Sequence, residues 1–130
     1  MSNPNYDAIK AHYAGSDARD LAAMMAPITP RTAWTEMAGF PYAGTYVGPD
    51  AIVAGVFKRI GEDWEGYTFT LEKLVDGGAT IVGIGTYSGT CRKTGKHMRA
   101  RVVHVWEMQD GSAVSFEQFT DTKLVAAAMG

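Results

Sequence analysis

The chain has 130 residues, of which 46% are apolar and 20% are charged, so it can bury a core and is not a disordered tail. Its 12 basic and 14 acidic residues give a net charge of −2, which argues against a nucleic-acid partner because phosphates need a basic surface. The single cysteine, Cys91, excludes an intrachain disulfide and a cysteine-rich metal site. No stretch approaches the ~18 apolar residues of a membrane span. The N-terminus has no signal-peptide pattern, so we expect a cytoplasmic protein without a membrane partner.

Helix patterns fill the first half of the chain. Residues 5–14 carry apolar side chains at helical spacing. A second short helix is expected to follow, with Ser16 or Asp17 as its N-cap, Leu21, Met24 and Met25 on its apolar face, and Pro27 and Pro30 at its end. Residues 31–37 are typical of a short strand, which places Trp34 and Glu36 on the same side because strand side chains alternate. Residues 38–48 contain glycines, a proline and aromatics and are predicted to be a loop. A third helix is expected to begin at Gly48-Pro49-Asp50.

In the second half of the chain, the apolar residues recur at every second position, which is typical of strands. Strands are predicted over residues 66–75, 80–90, 98–109 and 112–120, joined by turns that include Asp76-Gly77-Gly78 and Asp110-Gly111. A short terminal helix over 121–128 begins at the N-cap Asp121. This order predicts one α+β domain over residues 1–130, with three helices from the N-terminal half on the concave face of a strongly curved mixed or antiparallel sheet. Glycines inside the 80–90 strand indicate the bend, and a bent sheet under helices leaves a cavity.

Several motifs resemble those of the SnoaL-like polyketide cyclases. They are W-x-E in the first strand, G-x-Y-x-G-P-D before the third helix, S-G-T-x-R-K-T-G-K, H-V-W and the closing F-x-Q-F-x-D-T. These cyclases belong to the nuclear-transport-factor-2-like superfamily, to which ketosteroid isomerase is related. The resemblance implies a cystatin-like, cone-shaped barrel and a homodimer formed through the outer face of the sheet. It implies no single reaction, because this scaffold hosts isomerases, cyclases, hydrolases, dehydratases and binding domains.

The resemblance gives three residues candidate catalytic roles. Glu36 lies where ketosteroid isomerases place the carboxylate that moves a proton. His104 lies where those isomerases have a second carboxylic acid that donates to the oxyanion, and where the cyclases have a histidine. Gln118 lies where the cyclases have an acid/base aspartate, and an amide cannot take that role. His12 and Tyr13 lie near the position of the isomerases' oxyanion tyrosine.

Each candidate also has a purely structural interpretation. Glu36 faces solvent if its strand is an edge strand. His104 alternates with Val102 and Trp106 on the side expected to face the pocket, where a lone histidine is often a hydrogen-bonded structural group. Gln118 is alternatively a buried amide that satisfies backbone groups.

Two hypotheses for function remain open. The first is a pocket enzyme that performs proton transfer on an apolar substrate with a carbonyl, epoxide or hydroxyl group, as an isomerase, cyclase or related lyase or hydrolase. The second is a non-catalytic ligand-binding or dimerisation domain. The presence of Gln118 where the cyclases have an acid/base aspartate favours this second hypothesis. No metal is expected, since the three histidines are scattered and no close carboxylate pair accompanies them. No cofactor is expected either, since the chain has no Walker loop and no G-x-G-x-x-G motif. The predicted substrate-binding residues are Trp34, Tyr46, Phe57, Trp106 and Phe116.

Overall fold

The computed structural model describes residues 3–130. The helices are α1 (Pro4–Asp17), α2 (Leu21–Met25), α3 (Pro49–Ile52), α4 (Lys58–Asp63) and α5 (Thr122–Met129), and a π-helical segment (Val53–Phe57) joins α3 to α4. The strands are β1 (Ile28–Glu36), β2 (Gly44–Val47), β3 (Trp64–Gly77), β4 (Thr80–Cys91), β5 (His97–Gln109) and β6 (Ser112–Thr120).

The strands form one six-stranded mixed sheet in the order β2-β1-β6-β5-β4-β3. β1 pairs with β6 in parallel, and all the other neighbours are antiparallel. The sheet is not closed, which is consistent with a curved cone and confirms the predicted α+β class. The largest buried side chains come from both layers and include Ile9, Ile52, Trp106 and Phe116. The core therefore lies between the helices and the inner face of the sheet.

Local sequence signals explain several element ends. The Asn3 side chain accepts a hydrogen bond from the Asn5 N–H and Pro4 occupies the first turn, so α1 begins before the predicted residue 5. The Asp121 carboxylate accepts from the Leu124 N–H and caps α5, as expected. The β5–β6 hairpin turns at Asp110 and Gly111, which have φ values of 51° and 82°. Two consecutive positive φ values are characteristic of a tight type I′ turn.

The prediction that residues 38–48 form only a loop was wrong. Residues Gly44–Val47 form β2, which pairs with β1 in the register Trp34↔Tyr46 and Glu36↔Gly44. The pairing supplies main-chain partners that the local glycine and proline content did not indicate. Because β2 lies on one side of β1 and β6 on the other, β1 is an interior strand, and the solvent-facing interpretation of Glu36 is wrong.

Among the helices formed by residues 3–130, none is both long enough and apolar enough to cross a membrane.

Candidate functional site

A cavity of about 440 Å³ lies between the helices and the inner face of the sheet. This volume is in the range of small-molecule sites. Its exposed end carries Arg19, Leu21 and Lys58, and its deep end is almost entirely buried. The buried lining residues are His12, Tyr13, Trp34, Glu36, Val56, Phe69, Tyr87, His104 and Phe116. The partly buried lining residues are Ser16, Met24, Val53, Phe57, Ile60 and Tyr67.

The π-helical segment contributes directly to this cavity. Val53 and Phe57, at its two ends, and Val56 between them line the wall opposite the sheet. A π-turn widens the helix locally and occurs frequently at functional sites. The Phe57 ring meets Trp34 edge-on, with 5.5 Å between the ring centroids, so the segment also fixes the position of that indole.

Glu36 is the one carboxylate among the described residues that line the cavity. It is the last residue of β1, where alternation turns Thr32, Trp34 and Glu36 inward, and only 4% of it is exposed. Its Oε2 atom has no hydrogen-bond partner. Burial disfavours the ionised form and raises the pKa of Glu36 to about 8. The neighbouring Trp34 indole N–H acts in the opposite direction and lowers the pKa of Glu36, although the two side chains form no hydrogen bond of good geometry.

Two other buried polar atoms of the cavity wall also lack partners. They are the indole nitrogen of Trp34 and the hydroxyl of Tyr67. Burial, followed by the nearby charge of Glu36, raises the pKa of Tyr67, so this hydroxyl stays protonated. We name Trp34, Glu36 and Tyr67 the open polar wall. Buried polar groups normally have partners, so this wall suits a polar group of a bound molecule.

A second set of polar groups, at and behind the cavity wall, is joined by hydrogen bonds, although its Gln118 Oε1 atom has no partner. The Tyr13 hydroxyl lies 2.8 Å from His104 Nδ1, and the Tyr87 hydroxyl lies 2.7 Å from His104 Nε2. Trp106 Nε1 donates to the Tyr13 hydroxyl at 3.0 Å, and Gln118 Nε2 donates to the Tyr87 hydroxyl at 2.9 Å. We name these five residues the tyrosine–histidine network. It holds both tyrosine rings and the imidazole in fixed positions at the cavity wall.

Strand register explains how the network assembles. His104 on β5 lies between Gly83 on β4 and Gln118 on β6, all at one level of the sheet. A Cβ atom on Gly83 would lie 2.5 Å from the Tyr13 hydroxyl, so only glycine leaves room for that ring. Complete burial, followed by the charge of His12, lowers the pKa of His104 well below its usual value. The imidazole is therefore neutral.

His12 forms a separate contact beside this network. Its Nδ1–H donates to the Met24 carbonyl at 2.7 Å, which ties α1 to α2. Burial lowers the pKa of His12 to about 4, and the backbone hydrogen bond offsets part of that shift. Its ring meets Trp106 edge-on, with 4.8 Å between centroids.

The structure brings five of the eight predicted site residues to the cavity wall: Glu36, His104, Trp34, Phe57 and Phe116. The other three lie outside the lining. Tyr46 packs against Gly55 and donates to the Tyr42 carbonyl, whereas Trp106 and Gln118 are completely buried behind the two tyrosines.

The lining residues that the sequence reasoning did not assign to the site include three buried or partly buried aromatics of β3 and β4, Tyr67, Phe69 and Tyr87. Period-two alternation contained the signal for Tyr87. The inward positions of β4 near the site are Gly83, Gly85, Tyr87 and Gly89, so Tyr87 is the only one with a large side chain. A lone aromatic among inward glycines has space around it and projects into the cavity.

The described residues contain no group of three or more histidine, cysteine, aspartate or glutamate side chains placed to hold a metal ion. The arrangement instead offers an apolar, aromatic cavity with one protonatable carboxylate and a set of hydroxyl and N–H groups.

A curved sheet with a pocket between it and the helices is the architecture of a nuclear-transport-factor-2-like protein. Residues 9–116 match the SnoaL-like domain, and the chain belongs to this family. A crystal structure of a nuclear-transport-factor-2-like protein from Burkholderia thailandensis E264 is 58% identical and has a TM-score of 0.95, with coverage of 100% of this chain and 99% of that one.

Two other relatives carry more specific names. TerC, crystallised with polyporic acid, is 26% identical with a TM-score of 0.86, over 97% of this chain and 98% of that one. Patulin synthesis protein F from Aspergillus clavatus is 30% identical over 98 residues, or 69% of this chain. This chain spans 46% of the length of that relative.

Proposed function

We propose that this protein is a small-molecule enzyme that transfers a proton on an apolar substrate carrying a carbonyl, epoxide or hydroxyl group, with Glu36 as the transferring group. The observation that carries the proposal is the unpartnered carboxylate oxygen of Glu36 at the wall of a buried, aromatic cavity. A pKa of about 8 leaves roughly a tenth of the carboxylate ionised at pH 7, so both protonation states are accessible. A proton-transfer group works best when its pKa lies near the working pH.

A single carboxylate favours one type of proton transfer. Glu36 has no second carboxylate among the described lining residues, and Gln118 lies behind Tyr87. The cavity therefore lacks the two carboxyl groups that a reaction with one carboxylic acid and one separate carboxylate base requires. A reaction in which the same group removes a proton and returns it elsewhere, as in an isomerisation, needs only Glu36. In this proposal His104 and Gln118 act through the two tyrosines and do not touch the substrate.

The named relatives support small-molecule chemistry. TerC was crystallised with polyporic acid, and the Aspergillus relative is named for patulin synthesis. Their names do not define a substrate for this chain. They favour a search among carbonyl-bearing organic compounds.

The test uses 3-cyclohexen-1-one, whose isomerisation to the conjugated ketone is followed by ultraviolet absorbance. We expect turnover by the natural protein and a loss of roughly 10²-fold or more in Glu36→Gln, which keeps the shape and removes the proton acceptor. Glu117→Gln is the matched control, because this exposed glutamate lies outside the cavity lining. Equal rates in the natural protein and in Glu36→Gln would remove Glu36 from the mechanism.

The binding-domain alternative is separated by a second measurement. Styrene oxide and 3-cyclohexen-1-one are titrated by calorimetry while their conversion is followed. Saturable binding without conversion of either compound would favour a non-catalytic ligand-binding domain. In that case Glu36→Gln would change only the affinity.

We also propose a homodimer through the outer face of the sheet. Phe119 is 43% exposed there and pairs in register with the half-buried Val103, which forms an apolar patch between charged neighbours. Light scattering is expected to give about twice the 14.0 kDa chain mass, and Phe119→Glu to lower it. A monomeric natural protein at micromolar concentration would contradict this assembly.

A further inference from the structure

Two cationic side chains, Arg19 and Lys58, lie at the exposed end of the cavity, which we name the cationic opening. Arg19 belongs to the turn between α1 and α2, and Lys58 is the first residue of α4, so the two side chains come from different parts of the helical layer. Glu36 is the one acidic residue of the described lining; it is buried, and its pKa of about 8 leaves it mostly neutral at pH 7. The charge of the cavity lining at neutral pH is therefore positive and lies at the opening.

Neither cation of the opening forms an ion pair within the chain. Among residues 3–130, the one ion pair joins Arg101 to Glu72. Glu62 lies four positions after Lys58 on α4, a spacing that allows a helical ion pair, yet the two side chains form none. Arg19 and Lys58 are therefore both available to an anionic group of a bound molecule.

The acidic residue that follows Arg19 in the chain is engaged elsewhere. The carboxylate of Asp20 accepts a hydrogen bond from the Ala23 N–H at 3.1 Å. Asp20 is therefore the N-cap of α2, and the prediction of Ser16 or Asp17 for this position was wrong. Because its carboxylate holds the start of α2, Asp20 does not neutralise the neighbouring guanidinium.

Arg19 occupies a backbone position that favours glycine. Its N–H donates to the Ser16 carbonyl at 3.1 Å, and the Asp20 N–H donates to the Gly15 carbonyl at 2.8 Å. These two hydrogen bonds form a Schellman motif at the end of α1, in which the position of Arg19 takes a left-handed conformation. The φ value of Arg19 is 55°, a conformation that a Cβ atom makes unfavourable. An arginine in place of the usual glycine indicates that its side chain has a role beyond the stability of the turn.

The Arg19 side chain extends from the helical layer to the sheet. Its Nη1 atom donates to the Tyr67 carbonyl on β3 at 3.4 Å, a long hydrogen bond. Tyr67 also lines the cavity, so this contact keeps the guanidinium at the cationic opening. The other N–H groups of the guanidinium remain available, and their planar arrangement matches the two oxygens of a carboxylate.

We propose that the cavity binds a ligand with an apolar body and a carboxylate at one end, and that Arg19 and Lys58 hold this carboxylate at the cationic opening. The apolar body then occupies the aromatic interior, and a carbonyl or hydroxyl group at the other end reaches Glu36. The substrate class is an oxo or hydroxy acid whose two functional groups are separated by an apolar frame. A carboxylate in the interior would lose its hydration without a cation to pair with, so charge determines which end of the ligand enters first.

This inference rests on the cavity being the ligand site of the proposed function, but it does not need Glu36 to transfer a proton. The two ideas fail separately. Preferential binding of a carboxylate without turnover contradicts only the proton-transfer proposal. Turnover of the neutral 3-cyclohexen-1-one, together with no preference for a carboxylate, contradicts only the inference about the opening.

The experiment uses three ketones of nearly one shape that differ in the charge of one end. They are 4′-acetylbiphenyl-4-carboxylate, the corresponding carboxamide and the corresponding aminomethyl compound, which are anionic, neutral and cationic at pH 7. Calorimetric titration is expected to give the highest affinity for the carboxylate and the lowest for the ammonium compound. The carboxylate is expected to bind roughly twofold to thirtyfold more tightly than the carboxamide, the range for two solvent-exposed ion pairs. Added sodium chloride should reduce this preference, because mobile ions screen exposed charges.

A pair of double variants assigns the preference to the opening. Arg19→Gln with Lys58→Gln is expected to remove the preference for the carboxylate and to leave the affinity for the carboxamide unchanged. Arg31→Gln with Lys123→Gln is the matched control, because both side chains are exposed, lie outside the cavity lining and carry the same charge. The control is expected to keep the full preference, although it changes the net charge of the protein equally.

Arg19→Gly separates a role in ligand binding from a role in the fold. Glycine adopts the left-handed conformation freely, so this variant is expected to unfold at a higher temperature than the natural protein. The same variant is expected to bind the carboxylate more weakly. A gain in stability together with a loss in affinity also shows that the weaker binding does not result from misfolding.

Several results would overturn the proposal. Equal affinities for the carboxylate and the carboxamide in the natural protein would show that the opening does not recognise an anion. Tightest binding of the ammonium compound would assign the charge preference to Glu36 and the aromatic wall. An equal loss of preference in the two double variants would show an effect of net charge only. Full preference in Arg19→Gly would exclude Arg19, and the absence of binding by all three compounds would contradict the ligand class.

Discussion

Glu36 and His104 are both buried in the wall of one cavity, yet their polar atoms are satisfied to different degrees. Both His104 nitrogens have a partner within 2.8 Å, whereas Oε2 of Glu36 has none. A buried network with satisfied partners is rigid and positions its members, whereas an unpartnered buried group favours a ligand. The comparison separates the tyrosine–histidine network, which positions its members, from the open polar wall, which is available to a ligand. Four predictions test this difference.

The largest expected effect is the pH dependence that Glu36 gives to stability. Its folded pKa of about 8 lies above the ordinary 4.5, so the folded state binds more protons between these values and stability falls as pH rises. The shift corresponds to at most roughly 5 kcal/mol of unfolding free energy. Urea unfolding at pH 5 and pH 8.5 measures it, and Glu36→Gln should remove most of the decrease. The same decrease in Glu36→Gln as in the natural protein would mean that Glu36 is solvated.

His12, beside the network, is expected to give the opposite slope. Its folded pKa of about 4 lies below the ordinary 6.5, so the unfolded state binds more protons between them and stability falls as pH decreases. The loss between pH 6.5 and pH 4 is at most roughly 3 kcal/mol. His12→Gln, measured by thermal unfolding against pH, should reduce the slope of this acid limb but not abolish it, because burial lowers the folded pKa of His104 as well. His97→Gln is the matched control, because His97 is exposed, and it should leave the acid limb unchanged.

The third prediction concerns one methyl group added next to the tyrosine–histidine network. Gly83→Ala places a Cβ atom 2.5 Å from the Tyr13 hydroxyl and 2.9 Å from its ring, so Tyr13 must move away from His104. Overpacking of this kind costs about 1–3 kcal/mol. Gly61→Ala is the control, because no atom lies within 4 Å of the added methyl group and alanine favours helices. Chemical denaturation should show the loss only in Gly83→Ala; equal stability of the two variants would show that Tyr13 is not held in place.

The smallest effect comes from the most direct comparison of the two sides. Tyr87→Phe breaks contacts to His104 and Gln118 and should cost about 1–2 kcal/mol of unfolding free energy. Tyr67→Phe removes a hydroxyl without a partner and should change stability by less than about 0.5 kcal/mol. Denaturant midpoints of the two variants measure the difference. Equal losses would mean that the hydroxyl of Tyr67 also has a structural partner.

The sequence alone predicted a large part of this molecule. Helical spacing, period-two alternation and the Asp110-Gly111 turn are local signals, and they identified the helices and the long strands. Family motifs then indicated the fold and directed attention to Glu36 and His104. Alternation also placed Trp34 and Glu36 on one face of β1, because side-chain direction in a strand depends only on neighbouring residues.

The tertiary structure decided what these side chains face and what satisfies them. β2 was not predicted from residues 38–48, because its pairing with β1 comes from a distant main-chain partner and not from local propensity. Tyr13 and His104 are 91 positions apart, and Gln118 and Tyr87 are 31 positions apart. No local spacing pattern in the sequence predicts hydrogen bonds between residues so far apart. The raised pKa of Glu36 likewise has its cause in burial. Burial and hydrogen-bond satisfaction depend on the packing of the whole chain, so only the folded structure determines them.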